Sequence, residues 1–234
     1  MTVLLDVDNI ETYIGQYRIL DGVSLAVEAG SITALLGRNG AGKTTTLKSI
    51  LGLTPPRSGT IRFMGERLNG RRTCQIARLG IGYVPEHRAI FRDLTVQENL
   101  TLAERRPGDL RRKAELIFGL FPDLERLARL KGGQLSGGQQ QMLAIARALV
   151  PDNRLLLIDE PSEGLAPVLI EHLMSAIKQL SSHTTVLLVE QNFRMASAIS
   201  QRYFILDDGR TVHSGAMAEL RRNQSLIHTY LGAT

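Results

Sequence analysis

Three short stretches carry residue types whose spacing permits chemistry on phosphate. The first is Gly37 to Thr45, GRNGAGKTT, between the apolar run Ser31 to Leu36 and the apolar, helix-like run Leu47 to Leu53. A strand feeding Gly-x-x-x-x-Gly-Lys-Thr and then a helix presents backbone N–H groups, a lysine and a helix N-terminus to one polyphosphate. Within this loop Gly37, Arg38, Asn39, Gly40, Ala41, Gly42, Lys43, Thr44 and Thr45 are the expected nucleotide contacts. Lys43 is expected to reach the β- and γ-phosphates and the Thr44 hydroxyl to join the coordination shell of Mg²⁺.

The second stretch is Asp159-Glu160, which follows the continuous apolar run Arg154 to Ile158. The carboxyl end of a core strand is where ligands collect in open α/β sheets. Two adjacent carboxylates there read either as a solvated acidic turn or, after a phosphate loop, as a divided pair in which Asp159 is expected to hold magnesium, directly or through water, and Glu160 to polarise the water that attacks the γ-phosphate. The third stretch, Leu135-Ser136-Gly137-Gly138-Gln139, opens the helical run Gln140 to Val150. It reads either as a plain serine N-cap or as a second anion site at a helix N-terminus. A chain with one phosphate loop needs a second such site only if it serves the nucleotide of another subunit.

Strand-like and helix-like runs position these stretches. Leu4 to Ile10, Ser24 to Val27, Ser31 to Leu36, Thr60 to Met64 and Ile81 to Val84 read as strands, with Tyr17 in the turn region between the first two and a turn at Gly65 to Gly70. Thr95-Val-Gln-Glu98 is a capping box opening Val96 to Glu104; Leu110 to Leu120 and Asp123 to Leu130 follow at helical spacing, with Pro107-Gly108 and Pro122 between them. Beyond Arg154 to Ile158 come a helix over Val168 to Leu180, a strand over Thr184 to Val189, a helix over Asn192 to Ser200, a hairpin over Tyr203 to Ser214, and short helices from Ala216 to Leu231. The class expected is α/β, a P-loop NTPase core with a peripheral antiparallel sheet. Residues 1–87 and 151–234 form the catalytic core of a single domain, and 88–150 form an inserted helical subdomain.

Composition narrows the function classes. The chain has 234 residues, 43% of them hydrophobic, enough for one substantial core. No window approaches the roughly 18 uninterrupted apolar residues of a membrane helix, and the start MTVLLDVDNIE lacks the features of a signal peptide, so a cytoplasmic location is expected. The lone Cys74 excludes an internal disulfide framework and reads as a small packing residue. The net charge of +5 comes in short clusters such as Arg105-Arg106 and Arg111 to Lys113, which read as solvated helix faces. With no tryptophan and few aromatics there is no stacking platform for single strands, and nucleic acid is not an expected partner.

Taken together, GRNGAGKTT, LSGGQQQ and LLLIDEP resemble the ATP-binding subunits of ABC transporters over essentially the whole chain. The resemblance implies ATP and Mg²⁺ as ligands. It also implies a pair of ATPase subunits, identical or different, in which Leu135, Ser136, Gly137, Gly138 and Gln139 of one subunit close over the ATP held by the other. Tyr17 matches the aromatic residue that stacks on adenine, and the helical region matches the part that receives a membrane-spanning partner. Two permease subunits, an external substrate-binding protein and a place on the inner face of the membrane complete the implied assembly.

Three positions depart from the common family pattern. Glu86 replaces the usual glutamine and joins Thr44 and Asp159 as an expected magnesium neighbour; Gln191 stands where a histidine usually contacts the γ-phosphate; and Ala166 replaces an aspartate. A neutral glutamine donates a hydrogen bond but cannot carry histidine's charge, a loss that can cost on the order of a hundredfold in rate. A subunit that binds ATP beside a more active sister is therefore one reading. VPE-x-R-x-x-F, EPS-x-GLAP and VEQN together look like the shorter ATPase subunit of branched-chain amino acid importers, with the urea importer's subunit a near neighbour. An ATPase driving uptake of hydrophobic amino acids, with Glu160 and Gln191 in catalytic positions, is the leading expectation.

Overall fold

The computed structural model describes residues 2–232. Two sheets organise it. In the first, β1 (Val3–Ile14), β2 (Tyr17–Glu28), β4 (Ser58–Phe63) and β5 (Glu66–Arg67) lie in the order β2-β1-β4-β5, and every pairing is antiparallel. In the second, β3 (Ile32–Leu36), β6 (Ile81–Val84), β7 (Leu155–Asp159), β8 (Thr185–Glu190), β9 (Arg202–Asp207) and β10 (Arg210–Ala216) lie in the order β10-β9-β3-β8-β7-β6. All pairs in this sheet are parallel except β10 with β9.

The parallel strands β3, β7 and β8 are buried along their whole length. Their side chains alternate between the two faces of the sheet, as the period of two requires. Leu155 and Leu157 face one cluster, which includes Val7, Leu25 and Ile61 of the antiparallel sheet and Leu47 and Ile50 of α1 (Lys43–Ile50). Leu156 and Ile158 face the other cluster, built with the helices. Each such leucine contributes about 1.5–3 kcal/mol by leaving water.

Most helices lie on that second face: α3 (Val96–Thr101), α4 (Asp109–Leu120), α5 (Pro122–Arg126), α6 (Gly137–Leu149), α7 (Pro167–Leu180) and α8 (Phe193–Ile199). Their buried Leu100, Ile117, Leu124, Leu143, Ile177 and Met195 join it. A third cluster seats the chain end against β3 and β9: Leu220 of α9 (Met217–Leu220) and Ile227 and Leu231 of the final π-type turn pack on Leu36 and Ile205. The three-residue α10 (Gln224–Leu226) links α9 to that turn.

Several elements differ from the sequence reading. β1 runs on to Ile14, and Tyr17 is not in the turn but opens β2, paired with Ile14. The alternation is masked there by register shifts after Val7 and after Thr12. Residues 66–67 of the expected turn pair with β4. A short helix, α2 (Thr73–Arg78), was not expected; it starts without a Ser, Thr, Asp or Asn cap, the Gln75 side chain accepting instead from the Arg72 N–H at 2.9 Å. Cys74 on this helix is exposed rather than packed, because α2 buries only Ile76. Pro122 begins α5, where a missing N–H costs nothing.

Candidate functional site

The phosphate loop joins the end of β3 to α1. Gly42 precedes the helix at φ 102°, and a Cβ there would come within 2.7 Å of Leu20 Cδ2, so the turn requires glycine twice over. No side chain caps α1, in contrast to the helices opened by Thr95, Ser136 and Asn192. Its first N–H groups therefore remain directed at whatever the loop holds.

Lys43 is buried, and its Nζ donates to the carbonyls of Gly37 and Arg38 at 2.9 and 3.0 Å. The same ammonium lies 3.0 Å from Glu160 Oε1. The next residue, Thr44, donates to Asp159 Oδ1 at 3.1 Å across 115 residues of sequence, and Tyr83 donates to Asp159 Oδ2 at 3.2 Å. Asp159 is the last residue of β7 and fully buried. Burial pushes its carboxyl above the ordinary value against the pull of the Thr44 and Tyr83 hydrogen bonds, and the nearby Glu160 and Glu86 carboxylates push the same way as burial. Tyr83 is raised for the same reasons, burial first and Asp159 second.

Glu160 follows at φ 42°, a left-handed conformation that a non-glycine residue adopts only when its surroundings compel it. Its N–H donates to Val189 O at 2.9 Å, which anchors the turn to β8. A cleft of about 300 Å³ opens beside it, lined by Asn39, Glu160, Ser162, Glu163, Glu190, Gln191 and Asn192. Thus Gln191 and Asn39 share a cavity with Glu160. Glu86 is half-buried and close enough to act electrostatically on both Asp159 and Tyr83.

Glu190 carries a constraint that sequence reasoning did not assign. At 1% exposure its carboxylate accepts from Ser162 N–H at 3.0 Å, Ser162 Oγ at 2.9 Å and Asn192 N–H at 3.1 Å. It thereby ties the segment after Glu160 to the segment holding Gln191. Burial outweighs those hydrogen bonds and raises the group from 4.5 to about 7, with Glu160 adding to the rise. The signal available in the sequence was a charged residue ending an otherwise apolar strand and followed by two amides.

The remaining expected residues stand apart from this cluster. Tyr17 is 69% exposed. Ser136 is the N-cap of α6, its Oγ accepting from Gln139 N–H at 3.3 Å while Gln139 Oε1 accepts from Ser136 N–H at 2.9 Å. Leu135 is buried beneath, Ser136 and Gly137 face solvent, and a Cβ on Gly138 would come within 2.5 Å of Leu169 Cδ1, so the start of α6 packs closely on α7. None of the hydrogen bonds of Ser136 to Gln139 reaches Lys43, Asp159 or Glu160.

A parallel sheet with a lysine-bearing loop after one strand and an Asp-Glu pair after a neighbouring strand defines a P-loop nucleotide hydrolase. The ABC transporter family is matched over residues 20–163, and the chain belongs to that family. The high-affinity branched-chain amino acid transport ATP-binding protein BraG of Pseudomonas aeruginosa is 41% identical over 232 residues, covering 98% of this chain and 100% of that protein. The probable branched-chain amino acid transport ATP-binding protein LivF of Archaeoglobus fulgidus is 35% identical over 221 residues, 93% of this chain and 94% of the relative. Among solved structures, the ADP conformation of MJ1267, an ATP-binding cassette of an ABC transporter, superposes with a TM-score of 0.85 at 25% identity, covering 95% of this chain and 94% of that one.

Proposed function

We propose that this chain is the ATP-binding and ATP-hydrolysing subunit of an importer for branched-chain, hydrophobic amino acids. One observation carries the chemistry: Lys43, Thr44, Asp159 and Glu160, from two separate stretches, converge within hydrogen-bonding distance at the carboxyl edge of the parallel sheet. In this reading Lys43 and the uncapped start of α1 hold the phosphates of ATP. Thr44 and Asp159 are hard oxygen ligands 3.1 Å apart. They suit Mg²⁺, which takes one or two protein oxygens and completes its shell with phosphate and water. Glu86 lies in the same field. Bound there, the ion would neutralise charge on the β- and γ-phosphates. Glu160 orients the attacking water, and Gln191 donates to the γ-phosphate from the adjoining cleft.

The assembly is read from the exposed start of α6. Ser136 and Gly137 face solvent at the start of α6, so they serve a second ATPase subunit's nucleotide rather than their own, and Tyr17 stacks on adenine. A cleft of about 340 Å³ bounded by Leu53, Ala77, Ala103, Ala144 and Pro151 is the surface assigned to a membrane-spanning permease subunit. Among the described residues no helix is long and apolar enough to cross a membrane, so attachment at the inner face runs through that partner. Residues 88–150, which supply part of that cleft, act as the helical subdomain. The cargo is supported by the likeness to the Pseudomonas and Archaeoglobus proteins.

The test is reconstitution of the co-purified membrane subunits with their external binding protein in vesicles. The proposal requires ATP-dependent leucine, isoleucine or valine uptake. ATP-dependent uptake of urea without these amino acids would overturn the cargo.

A further inference from the structure

The largest cleft among those described lies away from the nucleotide loop. It encloses about 920 Å³ between β4, the end of α2, the connection from α3 to α4, and the segment that enters β7. Gly80 and Arg154 on its wall precede β6 and β7, whereas Asp159 ends β7. The cleft therefore opens at the amino ends of the parallel strands, opposite the edge that carries the phosphate loop. A volume of this size is in the range of small-molecule sites.

Its charge is unbalanced by construction. Six cationic side chains line it, Arg78, Arg105, Arg106, Arg112, Lys113 and Arg154, against Glu66, Asp109 and Asp152. All three carboxylates are already engaged. Glu66 pairs with Arg71 at 2.8 Å, Asp152 with Lys113 at 2.9 Å, and Asp109 with Arg112. Asp109 also accepts from the N–H groups of Arg105 and Arg106 at 2.9 and 2.8 Å, which fixes the connection that presents those two side chains.

Four guanidinium groups are left without a carboxylate partner among the described residues. Arg105 donates to the Ile81 carbonyl at 3.3 Å and Arg154 to Met64 Sδ at 3.1 Å; Arg78 and Arg106 have no partner of opposite charge. Burial holds the Arg105 guanidinium below its ordinary pKa, offset in part by Asp109. Arg78, Arg105, Arg106 and Arg154 are nonetheless all exposed, so their guanidinium groups are open to an anion arriving from solvent. Guanidinium forks match phosphate oxygens in pairs, and a concave wall focuses their field.

We infer that this cleft binds a small anion carrying two or more phosphoryl groups, at a site separate from the nucleotide loop. Because its walls come from the antiparallel sheet, from α2 and from α4, an occupant would tie the helical region to the sheets. The same chemistry is offered by a soluble polyphosphate and by clustered phospholipid headgroups, and two probes separate these sources.

The experiment titrates tripolyphosphate into the full chain carrying Lys43→Ala, which removes the competing phosphate loop, and follows binding by calorimetry. In parallel the same protein is sedimented with phosphatidylglycerol vesicles and with phosphatidylcholine vesicles. Saturable binding in either arm that weakens at least tenfold on Arg106→Glu with Arg154→Glu supports the inference and identifies the source. The pair Arg106→Lys with Arg154→Lys, which keeps the charge, should retain most of the binding and a normal thermal melt. No binding in either arm, binding unchanged by charge reversal, or binding of a polyglutamate peptide in place of tripolyphosphate would overturn it.

Discussion

Glu190→Gln gives a prediction whose sign and size both follow from burial. The carboxyl ionises near 4.5 in an unfolded chain and near 7 in the folded one. Between those values the folded state holds more protons than the unfolded state, so the group's contribution to stability falls as pH rises from about 4.5 to 7 and is level above that. A difference of this size corresponds to about 3 kcal/mol. The full figure applies here because the side chain is 1% exposed.

Glutamine keeps one acceptor oxygen but places an NH₂ among donors, so the variant loses a hydrogen bond or two from Ser162 and Asn192 at every pH. That offset is constant, while the titration is not. Urea denaturation of both proteins from pH 5 to 8.5 should show the wild type losing about 2–3 kcal/mol relative to the variant across the window, other titrating groups cancelling in the difference. Parallel stability profiles would show that burial does not raise the Glu190 carboxyl.

Other perturbations test the local arguments. Lys43→Ala removes the ammonium held by two loop carbonyls and Glu160, and should weaken ATP binding at least tenfold in equilibrium titration; undiminished affinity would remove Lys43 from the site. Gly42→Ala forces a side chain into a left-handed position against Leu20, and should destabilise the protein by about 1–3 kcal/mol, read as a lower melting temperature without nucleotide. Thr95→Ala removes the hydroxyl that accepts from Glu98 N–H at 3.1 Å and donates to Glu98 Oε2 at 2.8 Å, and should cost about 1 kcal/mol in denaturant midpoints, while Thr101→Ala near the helix end should cost less.

The parts of this protein legible in its sequence are those fixed by local patterns. β3, β7 and β8 are continuous apolar runs because both of their faces are covered, and α3 and α6 announce themselves through Thr95-x-x-Glu98 and Ser136-x-x-Gln139. The phosphate loop is legible because its glycines and lysine follow a buried strand. What escaped depends on contacts distant in sequence. Tyr83 binds Asp159 from 76 residues away, and Ser162 meets Glu190 from 28. Nothing in the spacing of either pair records that β6, β7 and β8 are neighbours. Tyr17 was misplaced because register shifts interrupt the alternation of β1, and α2 because a six-residue helix with one buried side chain has no periodicity to read. Arg105 and Arg106 are exposed, as a solvated group requires, while Asp109 holds their connection at the wall of a cleft.

ATP hydrolysis in the proposed function rests on Glu160, whose carboxylate touches the lysine of the phosphate loop. The direct measurement is a single-turnover assay on the assembled complex, with ATP radiolabelled at the γ-phosphate bound first and magnesium added to start the reaction. The wild type should convert the bound ATP to ADP and phosphate, and Glu160→Gln should retain it intact over the same interval, with a rate lower by on the order of a hundredfold or more. Equal conversion by the two proteins would remove Glu160 from the hydrolytic step.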